Sequence, residues 1–322
     1  MHTLNKFTRW MAACIAVAAL SSCANFNNPY GSQHPLAGKV WDVAGGRFVP
    51  PEEVIGRAIE SKFVLLGEIH DNEEHHRIQS MFVDAMVRNG RKPALVMEQF
   101  DVEQQKLMNG IVQGNGSRSE KLRELSKLMR QGWNWPLYQR LVSSALQLKL
   151  PLVAANTPRE AVREVARNGF DVLGTGEEER LAIDRTWTPE RNRQLAQEIA
   201  AGHCGKVADH MVQAITKSQR VRDAVMADKM LMARRMGVVG IVGRGHARED
   251  LGVPLYLAAR APEESILSVG MVEVYEPVDP EAYAHSSVGQ HHDYLWFTPR
   301  PARNSNPCDG IPAPKAETQE SS

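Results

Sequence analysis

Phe63-Val64-Leu65-Leu66-Gly67-Glu68-Ile69-His70 is the stretch on which the fold turns. Four consecutive apolar residues fit a strand buried on both faces, and the polar run that follows marks its carboxyl end. The same pattern recurs along the chain. Ala94-Leu95-Val96-Met97 runs into Glu98-Gln99, and Leu152-Val153-Ala154-Ala155 runs into Asn156-Thr157. Val238 to Val242 runs into Gly243-Arg244-Gly245-His246. Ser265 to Tyr275 reads as a fifth, longer strand and Tyr294 to Phe297 as a sixth, while Gly38 to Pro50 reads as a hairpin around Gly45-Gly46.

Helical patterns lie between these runs. Ile78, Met81, Phe82, Ala85 and Met86 repeat at helical spacing, and Asn89-Gly90 closes that helix. Residues 119–131 and 136–149 give two more, the second opened by Pro136. Thr157 is expected to cap a further helix, with Pro158 at its first position. Thr188-Pro189-Glu190 opens another that stops near Gly202, and residues 206–236 hold a long helical stretch. Alternating strands and helices predict the α/β class: a central, mostly parallel sheet covered by helices, with an N-terminal hairpin.

The ends of the chain differ from its middle. Lys6 and Arg9 precede an apolar run from Trp10 to Leu20, and Leu20-Ser21-Ser22-Cys23 follows. The run is too short for a mature membrane anchor and suits an export signal over residues 1–22. Leu-Ser-Ser-Cys resembles a bacterial lipobox, which implies lipidation of Cys23; the Ala24 that follows implies sorting to the outer membrane. Residues 23–38 are then a tether, 39–298 the folded domain, and 299–322 a disordered tail. Of four cysteines, Cys14 leaves with the leader and Cys23 carries lipid, so Cys204 and Cys308 are expected to pair in an oxidising compartment. The chain has 38 basic and 38 acidic side chains, and losing Lys6 and Arg9 leaves 36 against 38. No basic surplus argues for nucleic acid.

In open α/β sheets the ligand crevice lies beyond the carboxyl ends of the strands. Those ends carry Glu68, His70, Glu98, Asn156, His246 and Arg248, and the helix after His70 adds His75 on its core-facing stripe. Imidazoles and carboxylates at one rim could hold a transition metal or move protons. His76, one position round the helix, is expected to face solvent. Trp133 and Trp135, with Tyr138 one turn into the next helix, could line a flat apolar slot or anchor a loop on the core.

Several of these segments together carry a family resemblance. They are Gly67-Glu68-Ile69-His70-Asp71-Asn72 with His75, Val96-Met97-Glu98-Gln99-Phe100, Trp133-x-Trp135-x-x-Tyr138, His203-Cys204-Gly205, Arg222-Asp223-Ala224-x-Met226-Ala227 and Gly243-x-Gly245-His246-Ala247-Arg248. From about Gly38 to Phe297 the chain resembles the ChaN family of iron-regulated, haem-binding lipoproteins, relatives of the Tiki, TraB and erythromycin esterase proteins. The resemblance implies a non-enzymatic haem (iron) carrier or store at the outer membrane, acting as a homodimer and handing haem to or from an outer-membrane receptor. It also implies a tyrosinate iron ligand, for which Tyr138 is the candidate, with His70, His75 or His246 assisting and Trp133 and Trp135 alongside. The related Tiki proteins imply a rival: a hydrolase in which His70, His246 and Glu68 bind a divalent metal and Glu68 or Glu98 is the general base.

Overall fold

The computed structural model describes residues 30–275, 282–283, 286, 289 and 291–303. The hairpin is formed by β1 (Val40–Asp42) and β2 (Arg47–Val49). There follow α1 (Pro51–Glu60), β3 (Phe63–Glu68), α2 (Glu73–Arg88), β4 (Ala94–Asp101), α3 (Gln105–Gln113), α4 (Arg118–Leu128) and α5 (Trp135–Leu148). The second half holds β5 (Leu152–Asn156), α6 (Arg159–Asn168), α7 (Thr175–Leu181), α8 (Pro189–Gly202), α9 (Asp209–Ala233), β6 (Val238–Gly243), α10 (Val253–Arg260), β7 (Ile266–Glu273) and β8 (Tyr294–Thr298). Every strand expected from an apolar run is present, and the sheet is the expected one. Its order is β2-β1-β8-β7-β3-β6-β4-β5; β8 to β5 run parallel, and the hairpin adds antiparallel at one end.

Two apolar layers sandwich the sheet, and strand alternation decides which residue joins which layer. Val64 and Leu66 of β3, with Leu95 and Met97 of β4, pack against Ile78, Phe82 and Met86 of α2 and Leu141 of α5. Burying each of those α2 side chains contributes about 1.5–3 kcal/mol. Phe63 and Leu65 of β3, with Val96 of β4, face Ala224, Met226 and Ala227 of α9 and Leu257 of α10. The alternation carries to the strand ends. Glu68 continues the Val64–Leu66 side toward α2 and α5, whereas Glu98 continues the Val96 side toward α9.

Helix α2 is capped as its sequence allows: the Asn72 side chain accepts from the Glu74 backbone N–H, and Asn89 closes it before Gly90 at φ +79°. Thr157 is not a cap. Pro158 takes that position before α6, and the Thr157 hydroxyl, although buried, has no hydrogen-bond partner among the described residues. The folded body is also longer than expected at both ends. Leu36 joins a small core with Trp41 and Phe297, and Tyr30 pairs with Arg300, within the stretch expected to be a tether. Residues 299–303 belong to the body too: the Pro299 carbonyl accepts from Asn72, and Arg303 pairs with Asp71 and Glu273. The leader, Cys23 and Cys308 lie outside the described residues. Cys204 is disulfide-bonded. No helix among the described residues is long and apolar enough to cross a membrane.

Candidate functional site

After β6 the chain crosses from the side of β3 that holds β4, β5 and β6 to the side that holds β7 and β8, so β3 and β6 lie side by side near the centre of the sheet with their carboxyl ends together. Both strands end in glycine-containing motifs because the two ends press on each other. A methyl group at Gly67 would lie 2.8 Å from the Ala247 side chain and 2.9 Å from Arg244 Cα. One at Gly243 would lie 2.9 Å from the His70 ring. The glycines therefore allow the two Gly-x-x-His turns to nest.

Glu68 is the hub of the α2–α5 side. It is buried and accepts from the Tyr138 hydroxyl at 2.5 Å, Gln79 Nε2 at 2.5 Å, His70 Nδ1 at 2.9 Å and Gln99 Nε2 at 3.3 Å. His76 Nδ1 lies 3.3 Å from its other oxygen. Burial works to raise the Glu68 carboxyl, but the His76 and His70 imidazoles overcome it and hold the group well below the usual carboxylate range. For His76 and His70 the same attraction outweighs burial, and both are raised above ordinary histidine. Tyr138 is driven the other way. Burial and then the Glu68 charge push its hydroxyl far above the ordinary phenol, so it acts as a neutral donor.

Glu98 is the hub of the α9 side. It accepts from the Gly243 N–H at 2.8 Å and forms an ion pair with His246 Nε2 at 3.4 Å. The other His246 nitrogen, Nδ1, bonds Asp223 Oδ1 at 2.6 Å. Burial opposes a charge on His246, yet Asp223 and Glu98 push it up to about 10. Glu98, which burial would raise, comes down to about 2 beside His246, and burial takes Asp223 up to about 6. At neutral pH the row is a buried imidazolium between carboxylates.

His70 stands at the rim between the hubs. Its side chain is 48% exposed, its Nδ1 is engaged by Glu68, and its Nε2 has no hydrogen-bond partner among the described residues. The Trp133 ring packs edge-on against it at 4.1 Å. Two clefts open on either side of His70. One, about 360 Å³, is lined by Glu68, Asp223, Gly243 and His246; the other, about 460 Å³, by Glu98, Trp133, Asn156 and four arginines.

The sequence expectations divide accordingly. Glu68, His70, Glu98 and His246 do converge. Tyr138, expected as an axial ligand, is fully buried beneath the site with its hydroxyl committed to Glu68. His75 is likewise a core residue: its Nδ1 accepts from the Ile69 N–H at 2.8 Å and its Nε2 meets the Thr298 hydroxyl at 2.8 Å. Burial holds its pKa well below ordinary histidine, so it is neutral. Trp135 packs on the α2–α5 core, while Trp133 reaches the cleft. His76, expected in solvent, is buried, because α5 covers that side of α2 and its Tyr138 ring lies 4.4 Å away. Gln79, Gln99 and Asp223 are additions; Gln79 lies three residues after His76, a spacing that puts both on one helix face. Among the described residues no group of three or more His, Cys, Asp or Glu side chains is disposed to hold a metal ion, so the expected His70–His246–Glu68 set does not form one.

The fold is thus an α/β protein with a mostly parallel sheet and two clefts at its central strand ends, rimmed by an accessible imidazole and a tryptophan. Residues 54–257 match the family described as haem-binding uptake, Tiki superfamily, ChaN, and the chain belongs to that family. Among solved structures it is similar to the one of cofacial haem binding to ChaN of Campylobacter jejuni, with 19% identity and a TM-score of 0.65 over 80% of this chain and 95% of that one. It is also similar to an erythromycin esterase mutant, EreC, in its open conformation, with 12% identity and a TM-score of 0.48 over 79% of this chain and 94% of that one. No curated protein matches the chain.

Proposed function

We propose that this protein binds haem at the strand-end rim, over His70 and Trp133, and serves its uptake or storage. The observation that carries the reading is His70: an exposed imidazole whose Nε2 is free among the described residues while its Nδ1 is held by an ionised, buried carboxylate. A carboxylate on the far nitrogen fixes the ring and makes the near one a better donor. The surroundings suit haem: an aromatic face at Trp133, and a cleft of about 460 Å³ that also presents arginines. Bound haem would supply a ferric iron open to a nitrogen or oxygen donor. Every other part belongs to the chain. Glu68 orients His70; Tyr138, Gln79 and Gln99 hold Glu68 in place; and the Gly67–Ala247 contact keeps the two rims together. On this reading Tyr138 acts two steps from the ligand, as a positioning residue.

We also propose, from the leader and lipobox, that Cys23 anchors the protein at the outer membrane, and, from the family resemblance, that two copies enclose the haem. A haemin titration of the purified full chain, with metal content measured first, tests the main reading. Saturable, stoichiometric absorbance in the Soret region from metal-free protein supports it; a nonspecific response with a tightly held divalent metal overturns it. A second reading, hydrolysis, is favoured by the buried Asp223–His246–Glu98 row beside a cleft. It requires turnover of an ester or peptide that is lost in His246→Gln.

A further inference from the structure

The larger cleft carries an excess of positive charge that its own acids do not absorb. Arg130 follows α4, Arg159 and Arg163 lie four residues apart on the first turns of α6, and Arg222 comes from α9. Residues four apart share one helix face, where like charges repel. Two acids are near. Asp101 lies 3.5 Å from Arg130, and Glu98 is occupied by the Gly243 N–H and His246. Arg159 donates to the Gln131 carbonyl at 2.7 Å. Arg163 and Arg222 make no hydrogen bond or ion pair among the described residues, and Arg222 Nε is buried without an acceptor. Helix α6 opens on the same cleft with no side chain capping its first N–H groups, which adds partial positive charge. The crowding is felt by Arg130, whose guanidinium burial lowers, with Arg222 and Arg159 adding to the effect.

The other cleft shows what compensated arginines look like in this protein. Arg248 there pairs with Glu198 and Asp250, and Arg244 donates to the Met271 carbonyl. The chain as a whole has no formal net charge, so the four guanidiniums are a local accumulation rather than a general bias. Planar guanidiniums recognise carboxylate or phosphate through paired N–H groups. The open lobe beside them is walled by Trp133 and His70, a flat face and a free donor.

We infer that Arg130, Arg159, Arg163 and Arg222 form an oxyanion subsite, and that on the haem reading it takes the carboxylates of the porphyrin while the ring lies toward Trp133 and His70. The inference rests on that reading for the identity of its ligand but not for the existence of the subsite. A free phosphate has the same chemistry, and the test separates the two.

Three probes are titrated into the purified full chain and into Arg163→Gln/Arg222→Gln: metal-free protoporphyrin, its dimethyl ester and inorganic pyrophosphate. Tryptophan and porphyrin fluorescence report the porphyrins, and calorimetry reports pyrophosphate. The expected result is that the double variant weakens protoporphyrin about tenfold or more and leaves the ester unchanged. Pyrophosphate should compete with protoporphyrin but not with the ester. Iron is absent from all three probes, so failure of iron ligation does not affect them. Arg-dependent pyrophosphate binding with no porphyrin binding would keep the subsite, assign it to phosphate and overturn its assignment to porphyrin carboxylates, while the haem reading itself is decided by the haemin titration. Equal affinity of wild type and variant for all three probes would overturn the subsite. Arg163→Gln alone, at an exposed position, repeats the test without risk to the fold.

Discussion

Replacing Tyr138 with Phe removes one atom and separates two roles for that residue. The hydroxyl lies 2.5 Å from Glu68 Oε1, and the ring is fully buried. Phe keeps the ring's packing, so the loss is confined to a hydrogen bond with an ionised acceptor, worth about 1.5–3 kcal/mol. Glu68 retains His70, Gln79, Gln99 and His76, which caps the damage at that range. In a domain of this size about 2 kcal/mol corresponds to a fall in Tm of roughly 4–8 °C. Urea and thermal unfolding of wild type, Tyr138→Phe, Glu68→Gln and the double variant should show that Tyr138→Phe costs much less once Glu68 is Gln, because the two share one interaction. Haemin should still bind Tyr138→Phe with unchanged stoichiometry. A variant as stable as wild type that loses the ferric haem spectrum would refute this reasoning and make the phenol an iron ligand.

Three further outcomes are expected. Gly67→Ala should destabilise by about 1–3 kcal/mol in urea, since its methyl group meets Ala247 and the Arg244 backbone, neither a flexible side-chain end. Stability should peak near neutral pH. His75 and His292 are neutral in the fold, the latter brought down to about 3 by burial and nearby arginines, so the unfolded chain takes up protons first and stability falls as pH drops below 6.5. His246, raised to about 10, contributes stability that is complete below 6.5 and lost as pH rises toward 10; urea midpoints that stay level from pH 7 to 10 would contradict its placement. Cys23→Ser should abolish incorporation of labelled palmitate and release the protein from the outer-membrane fraction, whereas retained label would place the anchor elsewhere.

The strands were legible because a parallel sheet buried on both faces writes each strand as an unbroken apolar run ended by polar residues. Both Gly-x-x-His ends could be read for the same reason. What the sequence hides is the covering of helices. His76 and His75 are adjacent on α2; the apolar stripe showed His75 going inward, but only α5, remote in sequence, buries His76 as well. Tyr138 could be placed on an inward-facing stripe, but its depth beneath Glu68 depends on how far α5 sinks toward the sheet. The arginine cleft was invisible because its members come from the end of α4, from α6 and from α9, and share no motif. Thr157 was misread by one position, since Pro158 itself ends the extended segment before α6.

The most direct test is haemin titration of wild type and His70→Ala side by side, followed by absorbance in the Soret region. Wild type should bind saturably, and His70→Ala should give a weakened complex with an altered spectrum, while far-UV circular dichroism is unchanged. Identical saturable binding and identical spectra for the two proteins would contradict it, and would move the haem away from this rim.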